Sequence, residues 1–246
     1  MSAWRFEPKL IPTISVTLLF PALLALGFWQ LDRAHQKEAL YAQYQHRRNL
    51  DPVNLNESSP GNSNAGTLLW RRTTMRGIYD GGIHYLLDNQ VLDGRPGYFV
   101  YTTFRLSPGK SWVLVNRGWL PADPDRRRLP ELPTPAGPVR LDGVIKDVPA
   151  TGILLGKDVS EDLPGGIIRV QKIDLDAIAG RAGHALLPFI VRLNPTSVSG
   201  FERTWIEPGS GREKHLGYAF QWFLMAAALI IIYVVVNLKK STEDSA

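Results

Sequence analysis

Two long uncharged stretches, one near each end of the chain, constrain this sequence more than any other feature. From Leu10 to Leu31, "LIPTISVTLLFPALLALGFWQL", 22 residues pass without a formal charge, and from Leu216 to Leu238, "LGYAFQWFLMAAALIIIYVVVNL", 23 residues do the same. At 1.5 Å per residue each helix would cover roughly 33 Å, enough for a hydrocarbon core of about 30 Å. Lipid offers the backbone no hydrogen bonds, so both stretches are expected to cross the membrane as helices. Pro12 falls in a first turn, where proline is tolerated, and Pro21 predicts a kink in mid-span. Trp29, Tyr218 and Trp222 stand where aromatic belts form. A cleavable leader is the competing reading of the first span, with Arg5 and Lys9 ahead of it and Ala25-Leu26-Gly27 as a small-residue site. The apolar run is longer than a leader core, and an amphipathic pattern continues through "DRAHQKEALYAQYQHRR", so an uncleaved anchor is expected.

Two spans divide the chain into a tail (1–9), a first span (10–31), one domain (32–214), a second span (215–238) and a second tail (239–246). Both tails then lie on one side of the membrane and the domain on the other. Arg5, Lys9, Lys239 and Lys240 flank the outer ends of the spans, while Arg33, Lys37, Arg212 and Lys214 flank the inner ends. Charge counting therefore leaves the side open, with a lean toward an external domain, since a loop this long translocates largely regardless of charge.

Within the domain, 32–48 continues the first helix and 51–66 is a polar, turn-rich loop. Strand-like runs follow at Trp70–Tyr79, His84–Asp88, Gly97–Leu106, Trp112–Trp119, Val139–Val148, Ile167–Ile173 and Leu187–Leu193, separated by Gly/Pro/Asp clusters. Asp174–Arg181 reads as a short helix, and 120–138, with six prolines, as an extended irregular connection. Asn56-Glu57-Ser58 fits a glycosylation acceptor, which means nothing without a secretory context. The expected fold is thus a membrane protein in which two transmembrane helices flank one β-rich α+β domain, an antiparallel sheet or barrel.

The chain is basic, +5 over 246 residues, but its cations are scattered in short runs rather than gathered on one face, so no nucleic-acid partner is expected. It contains no cysteine, which excludes thiolate nucleophiles, iron–sulfur clusters and Cys-ligated zinc. No two of the five histidines have the helical metal spacing, and no nucleophile elbow or phosphate loop occurs. No catalytic constellation supports an enzyme.

His215 differs from the other histidines because it opens the second span. "SGRE" (Ser210–Glu213) fits a capping box, so a helix is expected to begin at Ser210. On it His215, Tyr218, Ala219, Trp222 and Ala226 fall on one stripe, with Arg212 and Lys214 nearby. Such a wall suits a flat, apolar, metal-bearing ring whose iron takes a neutral imidazole; it equally suits ordinary interfacial belt residues. In "SWVLVNRGWLP", Ser111–Pro121, an apolar strand is interrupted by Asn116, Arg117, Gly118 and Trp119. Gly118 suggests a bulge that re-aims Arg117 and Trp119. Arg117 then either locks the corner, by stacking on Trp119 or pairing with an acid, or contacts a ligand or client.

Four segments, "LGFWQLDRAHQKEAL" (26–40), "GIYD" (77–80) with "GRPGYFVYTTF" (94–104), "VLVNRGWLP" (113–121) and "HLGYAFQWF" (215–223), make the chain resemble the surfeit locus protein 1 family, assembly factors of haem–copper cytochrome c oxidase. The likeness is thin over 51–68 and 122–186, and Thr103 stands where the family pattern has proline, which reads as a loop-level change. The resemblance implies both termini inside and the domain on the periplasmic or intermembrane face. Nine residues ahead of the first span leave no room for a mitochondrial transit peptide, so a bacterial member, multi-pass in the cell inner membrane, is implied. The implied work is insertion of haem a into oxidase subunit I, alongside the haem a synthesis machinery, with membrane lipid as surroundings. His215 matches the proposed haem ligand of bacterial members. Tyr218 and Trp222 would pack on the macrocycle, Arg212 or Lys214 would meet its propionates, and Arg117 and Trp119 are further candidates for contact. The leading alternative is a cofactor-free scaffold for an assembly intermediate, and a third reading is a membrane-anchored enzyme acting on haem, against which the missing catalytic constellation counts.

Overall fold

The computed structural model describes residues 4–57, 65–109, 111–149 and 160–240. It separates into two compact units: Met1–Gln43 with Ile206–Ala246, which is helical, and Tyr44–Trp205, which is built on a sheet. The sheet-rich unit is narrower than the 32–214 read from sequence.

In the helical unit, α1 runs from Leu10 to Asn49 as one 40-residue helix, carrying the chain into the other unit. Pro12 sits in its first turn, and the helix passes through Pro21 without ending. The last helix, α4 (Arg212–Asn237), runs antiparallel to α1. Contacts between them step in opposite directions along the two helices. Thr13 Oγ1 meets the Tyr233 hydroxyl at 2.9 Å, Phe28 packs edge-on to Phe223, and Gln30 reaches His215. Small residues set the spacing, since Ala34, Ala219 and Ala226 are buried and a Cβ on Gly27 would come within 2.6 Å of the Phe223 ring. Close approach at small residues is how helices associate where lipid removes the hydrophobic drive. The two helices are long and apolar enough to cross a membrane, and most of their apolar surface lies exposed. Beyond them the tails pair: β1 (Trp4–Phe6) lies antiparallel to β10 (Leu238–Lys240), with Arg5 opposite Lys239.

The sheet-rich unit contains β2 (Val53–Asn54), the one-turn helix α2 (Ala65–Leu68), β3 (Arg72–Leu92), β4 (Arg95–Leu106), β5 (Trp112–Pro121), β6 (Val139–Lys146), β7 (Glu161–Leu163), β8 (Ile167–Val170), α3 (Leu175–Ala182) and β9 (Leu186–Leu193). The two runs expected at 70–79 and 84–88 are one 21-residue strand. Register shifts at Tyr79/His84 and Leu87/Gln90 replace the expected break at Gly81-Gly82. Bulges of this kind bend a strand without ending it. Asp93 and Gly94, both at positive φ, form the two-residue turn that fixes β3 against β4.

The strand order is β4-β5-β9-β6-β3-β8-β7, and β4 also pairs with β3. The first part of β3 pairs with β6 and the later part with β4, while β8 and β7 continue past it as an open edge. The sheet is therefore curled and mixed rather than a simple antiparallel barrel. β2–β3, β3–β8 and β5–β9 are parallel, made so by long connections that turn periodicity does not reveal. Inside the curl, Met75, Phe104, Val113, Val115, Leu141, Phe189 and Val191 form one apolar cluster. Each such side chain contributes about 1.5–3 kcal/mol on burial.

The short helix is as expected: Asp174 caps it by accepting from Ala177 N at 3.1 Å, and Gly183 ends it in the left-handed region. The proline-rich connection is irregular but held down, because Leu129 and Leu132 pack on a cluster containing Leu86, Tyr98 and Val100. Thr103 is buried in mid-strand opposite Leu114, not in a loop. Ser58 of the glycosylation triplet lies outside the described residues, and Asn56 Nδ2 already donates to Arg76 O and Ser107 O.

Candidate functional site

The expected capping box at Ser210 does not form. Helix α4 starts at Arg212, preceded by Gly211 at φ 92°, and no side chain caps it. Glycine decides this turn: Gly209 sits at φ 80°, where a Cβ would lie 2.5 Å from Lys37 O and 2.9 Å from Tyr41 N. The chain thus passes against the α1 backbone before turning into the second helix, and His215 is placed one turn into α4, facing α1.

His215 Nδ1 lies 2.8 Å from Gln30 Oε1, a bond between the ends of the two spans. An amide oxygen only accepts, so with Nδ1 as the donor to Gln30 it is Nε2 that is left over for a ligand. A second partner that fixes the tautomer in this way is what orients imidazole ligands of metals. Gln30 was not singled out in the sequence, although a side-chain amide in the last turn of an uncharged span signals a need for a polar partner.

The expected stripe divides. Ala219 and Ala226 are buried, His215 and Trp222 are half-buried, and Tyr218 is 52% exposed at the outer edge. Arg212 Nε lies 3.4 Å from Glu38 Oε2, an ion pair the sequence did not reveal, while Lys214 is exposed. Among the described residues no group of three or more His, Asp or Glu side chains could enclose a metal ion. The donor set is a single oriented imidazole beside aromatic side chains. Such a set could add one ligand to an iron already held by a macrocycle, and is too small to hold a bare ion.

Arg117 and Trp119 belong to the sheet-rich unit and are each 1% exposed. The register shift between Val100↔Gly118 and Tyr101↔Asn116 makes Arg117 the extra residue of a bulge, as Gly118 foretold. Asn116 stitches it, its Nδ2 donating to the Tyr101 hydroxyl and its Oδ1 accepting from Gly118 N, both at 3.0 Å. Gly118 has φ 121°, and a Cβ there would meet Glu202 O at 2.7 Å, because the segment around Phe201 and Glu202 bonds to the end of β5. The Arg117 partners differ from those expected. Its guanidinium lies over Tyr79 and Phe201, and donates to Ser199 O at 3.0 Å and to Pro133 O. Trp119 instead carries Arg95 on its ring and donates from Nε1 to Gln90 O. Both side chains are buried in this corner and hold it together.

Beside this corner His84 is buried, its Nδ1 2.9 Å from Thr102 Oγ1. Burial, with the Arg117 charge nearby, pushes it down to about 4, against a smaller opposing pull from Asp80.

The SURF1 family model matches residues 17–227, which includes His215, Arg117 and most of both spans. The chain belongs to the SURF1 family. A SURF1-like protein of Rickettsia felis is 25% identical over 232 residues, covering 89% of this chain and 94% of that protein. One of Rickettsia conorii is 25% identical over 241 residues, 93% of this chain and 92% of that protein. The Surfeit locus protein 1 of Arabidopsis thaliana is 33% identical over 105 residues, 39% of this chain and 30% of that protein. The family is one of cytochrome c oxidase assembly factors rather than enzymes, so a membrane-bound part in oxidase assembly follows from membership.

Proposed function

We propose that this SURF1-family protein holds haem a at the end of its helical hairpin and assists its insertion into subunit I of the oxidase, receiving it from the haem a synthesis machinery. The observation that carries this reading is the His215–Gln30 bond, which orients the ring and leaves Nε2 as the nitrogen to ligate iron at the end of the spans. Trp222 and Tyr218 stand on the same helix to pack against the macrocycle, and Lys214 to meet a propionate through a charge-assisted bond. A carrier must release its cargo, and one protein ligand makes exchange easier than two. The proposed setting is the cell inner membrane, with the sheet-rich unit in the periplasm and both tails in the cytoplasm.

The test is purification of the full chain from cells that make haem a. The wild type is expected to carry haem with a histidine-ligated Soret band, His215→Ala to lose it, and Gln30→Leu to retain less and shift the band. Unchanged haem content and spectrum in His215→Ala would overturn the assignment. One observation favours a cofactor-free scaffold instead: Arg212 is already engaged by Glu38 and is not held ready for a propionate. Co-purification of subunit I with haem-free protein would support that second reading.

A further inference from the structure

The paired tails form a surface that the haem reading does not use. Beyond the β1–β10 pairing, Glu7 N donates to Asn237 O at 2.8 Å and Lys9 N to Asn237 Oδ1 at 2.7 Å. Asn237 Nδ2 donates to Tyr233 O, and Lys239 pairs with Glu7 at 2.6 Å. Asn237 is fully buried by these bonds, so the start of α1 and the end of α4 are fastened into one clasp. The clasp nevertheless leaves large apolar side chains outside. Trp4 is 65% exposed and Phe6, which packs edge-on to Tyr233, is 46% exposed.

That apolar surface is continuous with Leu10, Ile11, Val235 and Val236, exposed residues of the spans themselves. Exposed apolar surface of this kind marks a protein or a membrane contact, and its continuity with the spans favours the bilayer. The clasp begins where the uncharged spans end, so it lies at headgroup depth, where amphipathic tryptophan is favoured. Its cations are gathered around one carboxylate. Lys239, Arg5 and Lys9 together hold Glu7 below its usual range, which marks a positive potential at the clasp.

We infer that the terminal clasp is a headgroup-level docking surface for anionic phospholipid: Trp4 and Phe6 enter the acyl boundary, and Arg5 and Lys9 bind the phosphates. This occupant follows from the apolar continuity with the spans and from the sign of the charge. It does not depend on which aqueous compartment the clasp faces, nor on haem.

The full chain would be extracted in mild detergent from vesicles containing equal phosphatidylglycerol and phosphatidylcholine, and the retained lipid counted by native mass spectrometry. Phosphatidylglycerol is expected to be retained in preference. Arg5→Gln with Lys9→Gln is expected to reduce the preference about tenfold, in line with the attraction of each cation to an anionic surface. Arg33→Gln with Lys37→Gln, just past the other end of the same uncharged span, is the control and is expected to keep it. Trp4→Ala is expected to lower total retained lipid without changing the preference. Equal retention of both lipids by the wild type, or equal losses in the clasp and control variants, would overturn the proposal.

Discussion

At the residue scale, the decisive positions are polar groups in apolar surroundings. Arg117 spans two carbonyls and two aromatic rings with one planar group, a task the compact ammonium of lysine does not perform. Arg117→Leu should cost roughly 3 kcal/mol by stranding buried acceptors, and Arg117→Lys should recover only part of it in denaturant titrations of the full chain. Gly118→Ala should cost about 2 kcal/mol, since it combines a positive φ with a clash against Glu202 O. His84 gives a pH dependence. Its folded pKa of about 4 lies below the ordinary 6.5, so between these values the unfolded chain binds more protons. Its contribution is present above pH 6.5 and is lost as pH falls toward 4, so thermal stability should drop across that window. His84→Gln, which does not titrate, should flatten the slope there.

At the element scale, the helical hairpin depends on close approach. Gly27→Leu should push α1 from Phe223, lower the melting temperature of the purified chain and disturb the Gln30–His215 bond at the next turn. Pairing of the tails can be checked directly because the chain has no cysteine of its own. Arg5 and Lys239 are opposite in an antiparallel pair, where Cα atoms lie about 4.5–5.5 Å apart, within disulfide range. An Arg5→Cys, Lys239→Cys variant should cross-link on mild oxidation and migrate faster on non-reducing gels. The spans and the bounds of most strands were legible here from uncharged length and turn residues. The single β3 was not, because a Gly-Gly pair that looks like a turn can also serve a bulge whose pairing continues on both sides. Nor was the failed cap at Ser210, since a capping box needs a free approach and Gly209 instead brings the chain against α1.

At the scale of the whole molecule, two spans with fastened tails place both tails on one side of the membrane. With the sheet-rich unit proposed as periplasmic, a Val198→Cys variant, at a site 57% exposed, should react with a membrane-impermeant maleimide in intact cells. Arg5→Cys alone should react only after lysis. The reverse pattern would invert the proposed orientation while leaving the fold untouched. The candidate site was half legible in the sequence: His215 stands out because it opens a span, and Tyr218 and Trp222 by helical spacing. Arg117 and Trp119 stand out equally as a motif, yet both are buried in the corner of β5, and exposure is not written in a short motif.

By itself the sequence determined the two spans, the β-rich middle, the exclusion of thiolate chemistry and the family, because length without charge, turn composition and motif order are local properties of the chain. Only the tertiary structure decided that the sheet is mixed and curled, that Gln30 orients His215, that Glu38 holds Arg212, and that Arg117 is spent on the corner of β5. Each of these is a pairing between residues far apart in sequence, and hydrogen bonds, ion pairs and parallel strands leave no period in the chain to announce their partners.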